Sequence, residues 1–283
     1  MGESGIQTFF ESWPLFQDAV CAGVLGGAML GVVGVYIVLR RVVFLSAAVS
    51  QVSGLGIAWA YFLQSSFGHG HGVGNTTFWA ILVTLGALLL LWRDKTVGGP
   101  RRDAILGVIF LTGLSGTLLL SSRILEELHD VQTLLFGTAV AVLPEDFWRI
   151  FWVSIMTLVL HLWQHRAFSV VSFDPQGARI RRLPVLMIDT VLMVSIGLAI
   201  AVSTQVLGSL PVFAFSILPA FAALLVVPNP ASALVVAGVL GATYGLAGYV
   251  VAFLWDLPVG ASQTMVALVG LGCVKCISLV WKR

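Results

Sequence analysis

The sequence predicts an all-α integral membrane protein: a polytopic helical bundle of about seven to nine transmembrane helices, folded as a single domain over residues 1–283. Three observations lead there. First, 58% of the 283 residues are hydrophobic and only 10% are charged, with a mean hydropathy of +1.00. Soluble domains carry about 25% charged residues, so a chain this poor in charge must meet lipid over most of its surface. Second, apolar runs long enough to cross a bilayer recur along the whole chain. Third, the basic residues gather in alternate gaps between those runs.

A helix rises 1.5 Å per residue and needs about 20 residues to cross the hydrocarbon. Runs that approach this length lie at 17–39, 47–64, 78–92, 104–121, 147–165, 185–207, 210–227, 231–254 and 262–281. The run 132–146 is too short and reads as re-entrant or interfacial. If 210–227 only dips into the membrane, the count falls to seven or eight. The opening MGESGIQTFFESWPLF contains Glu3 and Glu11 but no Lys or Arg, unlike the basic start of an export signal. Thirty glycines suit helices that approach closely in lipid. Cys21, Cys273 and Cys276 all lie in apolar stretches and predict no disulfide framework.

Charge sets the expected orientation. With the N-terminus outside and the C-terminus in the cytoplasm, 13 of the 15 Lys and Arg residues fall on the cytoplasmic side and only Arg123 and Arg149 fall outside. The reverse orientation would break the positive-inside rule. The net charge of +2 leaves no basic footprint for nucleic acid.

Four segments carry more chemistry than a span requires. In SFDPQGARIRRLP, residues 172–184, Asp174 is placed to cap a short basic helix whose first position is Pro175. A capped helix beneath the membrane suits docking of a soluble partner, with Asp174, Pro175, Gly177, Ala178 and Arg179 at the contact; an ordinary basic loop is the plain alternative. After Arg40 and Arg41, residues Ser46, Ser50 and Ser53 share one helical face with Gln51 beside it. Such a stripe either lines a path or bonds helix to helix. The loop FGHGHGVGN holds His69 and His71, and ILEELHD holds Glu126, Glu127, His129 and Asp130. Both lie on the expected outer side and offer ligand types for a divalent cation, though each is equally a solvated polar loop. Within the fifth run, His161 is a further pathway candidate, since a buried imidazole needs a partner.

These segments, in order, resemble the permeases of bacterial ABC importers for zinc, manganese and related divalent metals. The stretches GVVGVYIVLRRVVFLSAAVSQ, LLFGTAVAVLPEDFW, FDPQGAR, QVLGSLPVFAFSILPAFAALL and DLPVGA match the family's landmarks along nearly the whole chain. The resemblance implies an all-helical permease in the bacterial cytoplasmic membrane. It also implies a second permease copy, a separate nucleotide-binding ATPase contacted through residues 172–184, and an extracytoplasmic binding protein that delivers metal. No GxxxxGK[ST] loop occurs in the sequence, so ATP is expected on the partner, and this chain is expected to bind no cofactor and to catalyse no reaction itself.

The chain departs from the family at one place. Where the family has Asp and His four residues apart after the Arg pair, this sequence has Ala47 and Gln51. A methyl group and an amide replace a carboxylate and an imidazole, which are far better ligands for Zn²⁺ or Mn²⁺. The substrate is therefore open: metal bound by other groups, a divergent or substrate-switched subunit, or a secondary transporter outside the ABC class. Acidic residues within the spans are too scarce for the usual proton or sodium relay.

Overall fold

A computed structural model of the chain describes residues 13–67, 75–93, 100–123 and 142–281, and these form helices joined by short connections, with no strand among them. In chain order the helices are α1 (Trp13–Leu39), α2 (Val43–Phe67), α3 (Thr76–Arg93), α4 (Pro100–Ser121), α5 (Pro144–Trp163) and α6 (His165–Phe173). There follow α7 (Pro175–Ile180), α8 (Val185–Leu207), α9 (Ser209–Phe215), α10 (Leu218–Val226), α11 (Pro230–Trp255) and α12 (Val259–Trp281).

Among the described residues, with α9 and α10 taken together, seven helical stretches are long and apolar enough to cross a membrane. All nine apolar runs of the sequence are helical, but α3 and α5 fall short of that standard. The apolar part of α3 is shorter, ending at Leu91, and α5 opens with Glu145, Asp146 and Arg149 in its first two turns.

The centre of the bundle is α1, which touches α5, α8, α9, α10 and α11 and buries residues along almost its full length. Its main partner is α11, and small residues are the reason. Gly23, Gly27 and Gly31 recur every fourth residue and so share one face. They oppose Gly245, Gly241 and Ala237 in reverse order, so the two helices run antiparallel. A methyl group added at Gly27 would land on the carbonyl oxygen of Gly241, and one at Gly31 on that of Ala237. Lipid gives helices no hydrophobic drive to associate, so close backbone approach of this kind supplies the packing energy. A second group forms around α2, which packs against α3, α4 and α8.

The region 209–226 is not one straight helix. Gly208 adopts φ 88°, a conformation that L side chains avoid, and this separates α8 from α9. Pro219 then stands in the first turn of α10. It disfavours helical backbone at the residue before it and lacks an N–H, so the helix breaks at Ser216 and Ile217. The Ser216 carbonyl at the break sits against Gly34 of α1, where no side chain would fit.

Candidate functional site

Polar side chains gather at three levels of this bundle. The first is the end where α1 stops. After Leu39 the chain turns through Arg41 in the left-handed region, φ 57°, with Val42 N–H donating to Ile37 O and Arg41 N–H to Val38 O. That pattern is the Schellman end of a helix, and it sets Arg40 against two other elements. Its guanidinium Nη1 pairs with Asp189 Oδ1 in the second turn of α8, and its Nε donates to Ser172 Oγ of α6 at 2.9 Å.

Beside this pair lies α7, the short basic helix expected from sequence. Asp174 Oδ1 accepts from Gly177 N–H at 2.8 Å, Pro175 occupies the first turn, and Ala178 is fully buried. Gly177 is needed because a side chain there would run into the Asp174 carboxylate. Arg179 is exposed. The helix ends at Ile180. Arg182 takes the left-handed conformation, φ 56°, and Leu183 N–H donates to Ala178 O, so the chain turns directly into α8.

The second group is buried between the helices. Ser46, Ser50 and Ser53 are buried and Gln51 half-buried. The Ser46 and Ser50 hydroxyls turn back on their own helix, donating to Val43 O and Ala47 O, whereas Ser53 reaches across to Ala201 O of α8 at 3.2 Å. The Gln51 backbone is pressed against Gly113 of α4, where an added Cβ would lie 2.6 Å from the Gln51 carbonyl carbon. Ala47 is 7% exposed. His161 is fully buried; its Nδ1 donates to Thr157 O at 2.8 Å and its Nε2 faces Ser195 Oγ at 3.5 Å. Its ring is held between Tyr36 and Phe168, with centroids 5.4 Å and 5.3 Å away. These contacts tie α1, α5, α6 and α8 together, and no carboxylate among the described residues pairs with the ring.

The third level is the opposite end. There Gln205 in the last turn of α8 reaches the first turns of α3 and α5. Gln205 Oε1 accepts from Thr77 Oγ1 at 2.6 Å, and its Nε2 donates to Thr76 Oγ1 at 2.9 Å and to Asp146 Oδ1 at 3.1 Å. Arg149 Nη1 donates to the same Asp146 oxygen at 2.8 Å and to Thr77 Oγ1 at 3.2 Å, and Arg149 Nη2 reaches Glu145 at 3.3 Å. Three helices are thus clamped at one end by complementary polar groups.

The structure thus brings Asp174, Pro175, Gly177 and Ala178 beside the Arg40–Asp189 pair, and buries His161 and the serine stripe inside the bundle. Sequence reading missed Asp189 and Gln205 as partners. Each was visible only as a lone polar residue at the end of an apolar run. His69, His71, Glu126, Glu127, His129 and Asp130 lie outside the described residues. Among the described residues, no three His, Cys, Asp or Glu side chains cluster closely enough to hold a metal ion.

Comparison with known proteins places this geometry. Residues 12–274 match the ABC 3 transport family. The manganese transport system membrane protein MntD of Bacillus subtilis is 29% identical over 276 residues, covering 93% of this chain and 89% of that protein. The manganese transport system membrane protein MntC of Halalkalibacterium halodurans is 27% identical over 268 residues, covering 93% and 88%. In three dimensions the chain is similar to a chain of PsaBC from Streptococcus pneumoniae in complex with Fab, with a TM-score of 0.82, 23% identity and 95% of each chain covered.

Proposed function

The chain belongs to the ABC 3 transport family, and from that footing we propose that it is the membrane permease of an ATP-driven transporter for a divalent metal ion such as manganese or zinc. The observation that carries this reading is the match across residues 12–274, nearly the whole chain, joined to relatives named for manganese transport that align over about nine-tenths of their own length. The spans themselves make it a multi-pass membrane protein. We assign it to the bacterial cytoplasmic membrane with the Arg40 end in the cytoplasm, on the strength of the 13-to-2 split of basic residues.

In this reading α7 is the contact through which a separate ATPase drives the bundle. Its cap holds a six-residue helix rigid at the end where Arg40 joins α1 to α6 and α8, so a push on α7 would be felt by the central helix. An extracytoplasmic binding protein would deliver the metal to the opposite end, where Gln205, Asp146 and Arg149 clamp α3, α5 and α8. A second permease copy would complete the path. The test is uptake of Mn²⁺ and Zn²⁺ into vesicles containing this chain and its ATPase. ATP-dependent uptake of either metal supports the reading; tight ATPase association with uptake of neither overturns the metal assignment.

One observation favours a second reading of the substrate path. Ala47 is a buried methyl group and Gln51 an amide at the two positions where the family resemblance implies Asp and His. A path that retains few ligands of its own fits a heterodimer in which the other permease supplies them. Purification of a pair containing two different permease chains would support it.

A further inference from the structure

The broken span α9–α10 leaves backbone groups open at membrane depth. Pro219 has no N–H with which to continue the helix, and the Leu218 and Ala220 N–H groups donate to no carbonyl among the described residues. Ser216 is fully buried, but Ile217 and Leu218 are only half-buried, and Phe221, one turn further on, is 42% exposed. The break therefore reaches the surface of the single chain.

A second polar group without a partner stands at the same depth. α9 packs against α2, and the half-buried Gln51 carboxamide of α2 makes no hydrogen bond among the described residues. α2 starts at the Arg40 end, directly after Arg41. α10 finishes at that same end, because α11 follows it at Pro230 and runs antiparallel to α1, with Ala237 against Gly31. Gln51 lies eight residues into α2, and Ile217 nine residues before the last residue of α10. At 1.5 Å per residue both are about 12–14 Å from that end, within the roughly 30 Å of hydrocarbon.

Lipid offers an open N–H or an amide no hydrogen bond, so irregular backbone occurs at membrane depth only inside protein or against water. A covering protein would have to match each donor and acceptor, whereas water satisfies both kinds as it stands. We propose that Gln51 and the break at Ile217–Leu218 line one water-filled transport path, with α9–α10 as its wall beside α2. A hydrated cation passing there meets the Gln51 carbonyl oxygen as an acceptor for its water shell, and the break supplies N–H groups to the water around it. The assignment rests on the transport reading but not on which ion is carried.

The test measures water access in the assembled transporter, this chain with its ATPase, in lipid vesicles. With Cys21, Cys273 and Cys276 changed to Ser, a single thiol is placed by Ile217→Cys, Phe221→Cys, Leu89→Cys or Val239→Cys. Leu89 on α3 and Val239 on α11 are 64% and 58% exposed and serve as lipid-facing controls. A thiol reacts as its thiolate, which forms in water and not in lipid, so a charged methanethiosulfonate reagent should modify positions 217 and 221 roughly tenfold or more faster than 89 and 239. Hydrogen exchange of the unsubstituted chain reads the same property without any mutation: amides in 217–221 should exchange roughly tenfold or more faster than those in 27–31, which are sealed between α1 and α11. Thiols at 217 and 221 no faster than the controls, or amides in 217–221 as protected as those in 27–31, would each overturn the proposal. Fast modification at 217 and 221 without ATP-driven uptake of Mn²⁺ or Zn²⁺ would support the path and remove the metal assignment.

Discussion

Arg40 at the end of α1 is ion-paired with Asp189 in the second turn of α8, 149 positions along the chain. The pair joins the central helix to the helix that follows the short basic α7. Asp189 is 33% exposed and Arg40 only 12%, so removing the carboxylate strands the more deeply buried partner. Asp189→Asn should therefore destabilise the protein by about 2–3 kcal/mol, read as a fall in the thermal midpoint of the detergent-solubilised protein. Ser172→Ala, which removes a single neutral acceptor, should cost about 1 kcal/mol. An Asp189→Asn variant with wild-type stability would show that the pair contributes nothing net.

The antiparallel contact of α1 and α11 makes a sharp contrast among glycines. Gly27→Leu should prevent assembly of the bundle, because even a methyl group falls on the Gly241 carbonyl. Gly86→Ala on α3 meets open space and should stabilise by about 1 kcal/mol through helix propensity. Expression level and thermal midpoint of the two variants give the comparison. Tolerance of Leu at position 27 would mean the helices do not meet there.

At the opposite end, Gln205 serves two threonines and a carboxylate at once. Gln205→Leu removes all of these bonds while keeping the bulk, and should cost about 1–3 kcal/mol. A double-mutant cycle with Asp146→Ala should show coupling of at least about 0.5 kcal/mol, since the two share a hydrogen bond. Strictly additive effects would mean the clamp is absent in the membrane.

The cap of α7 can be tested separately from its partner. Asp174→Ala should loosen α7 by about 1 kcal/mol, and Gly177→Val should do the same by displacing the Asp174 carboxylate from its bond. If α7 is the ATPase contact, both variants should lower metal moved per ATP hydrolysed while the bundle melts at nearly the wild-type temperature. Unchanged coupling in both would place the contact elsewhere.

Restoring the ligands implied by the family resemblance is the most direct probe of the substrate path. Ala47→Asp with Gln51→His puts a carboxylate and an imidazole four residues apart on one face of α2. The double variant should gain Mn²⁺ or Zn²⁺ binding measurable by calorimetry, where Gln51→Ala changes little. A high-affinity site lost on Gln51→Ala alone would show instead that the amide already anchors the metal.

What the sequence determined by itself was everything governed by neighbours a few residues away. The nine apolar runs became helices because lipid leaves backbone groups no partners but their own. Asp174, Pro175 and Gly177 specify the start of α7 because a cap is a bond across three residues. Gly208 sets off and Pro219 breaks the run 210–227, which the sequence left open as a crossing or a dip. Tertiary structure decided the partners. Nothing local tells Arg40 to choose Asp189 rather than Asp174, or Gln205 to meet Asp146. Likewise, Ser53 reaches α8 while Ser46 and Ser50, on the same face, turn back on their own helix. Those choices follow from how closely the helices approach, which Gly27 against Gly241 and Gly113 against Gln51 set across more than sixty positions of chain. Hydrogen-bond energy falls off within a few ångströms, so a polar residue finds its partner only after packing has brought one near.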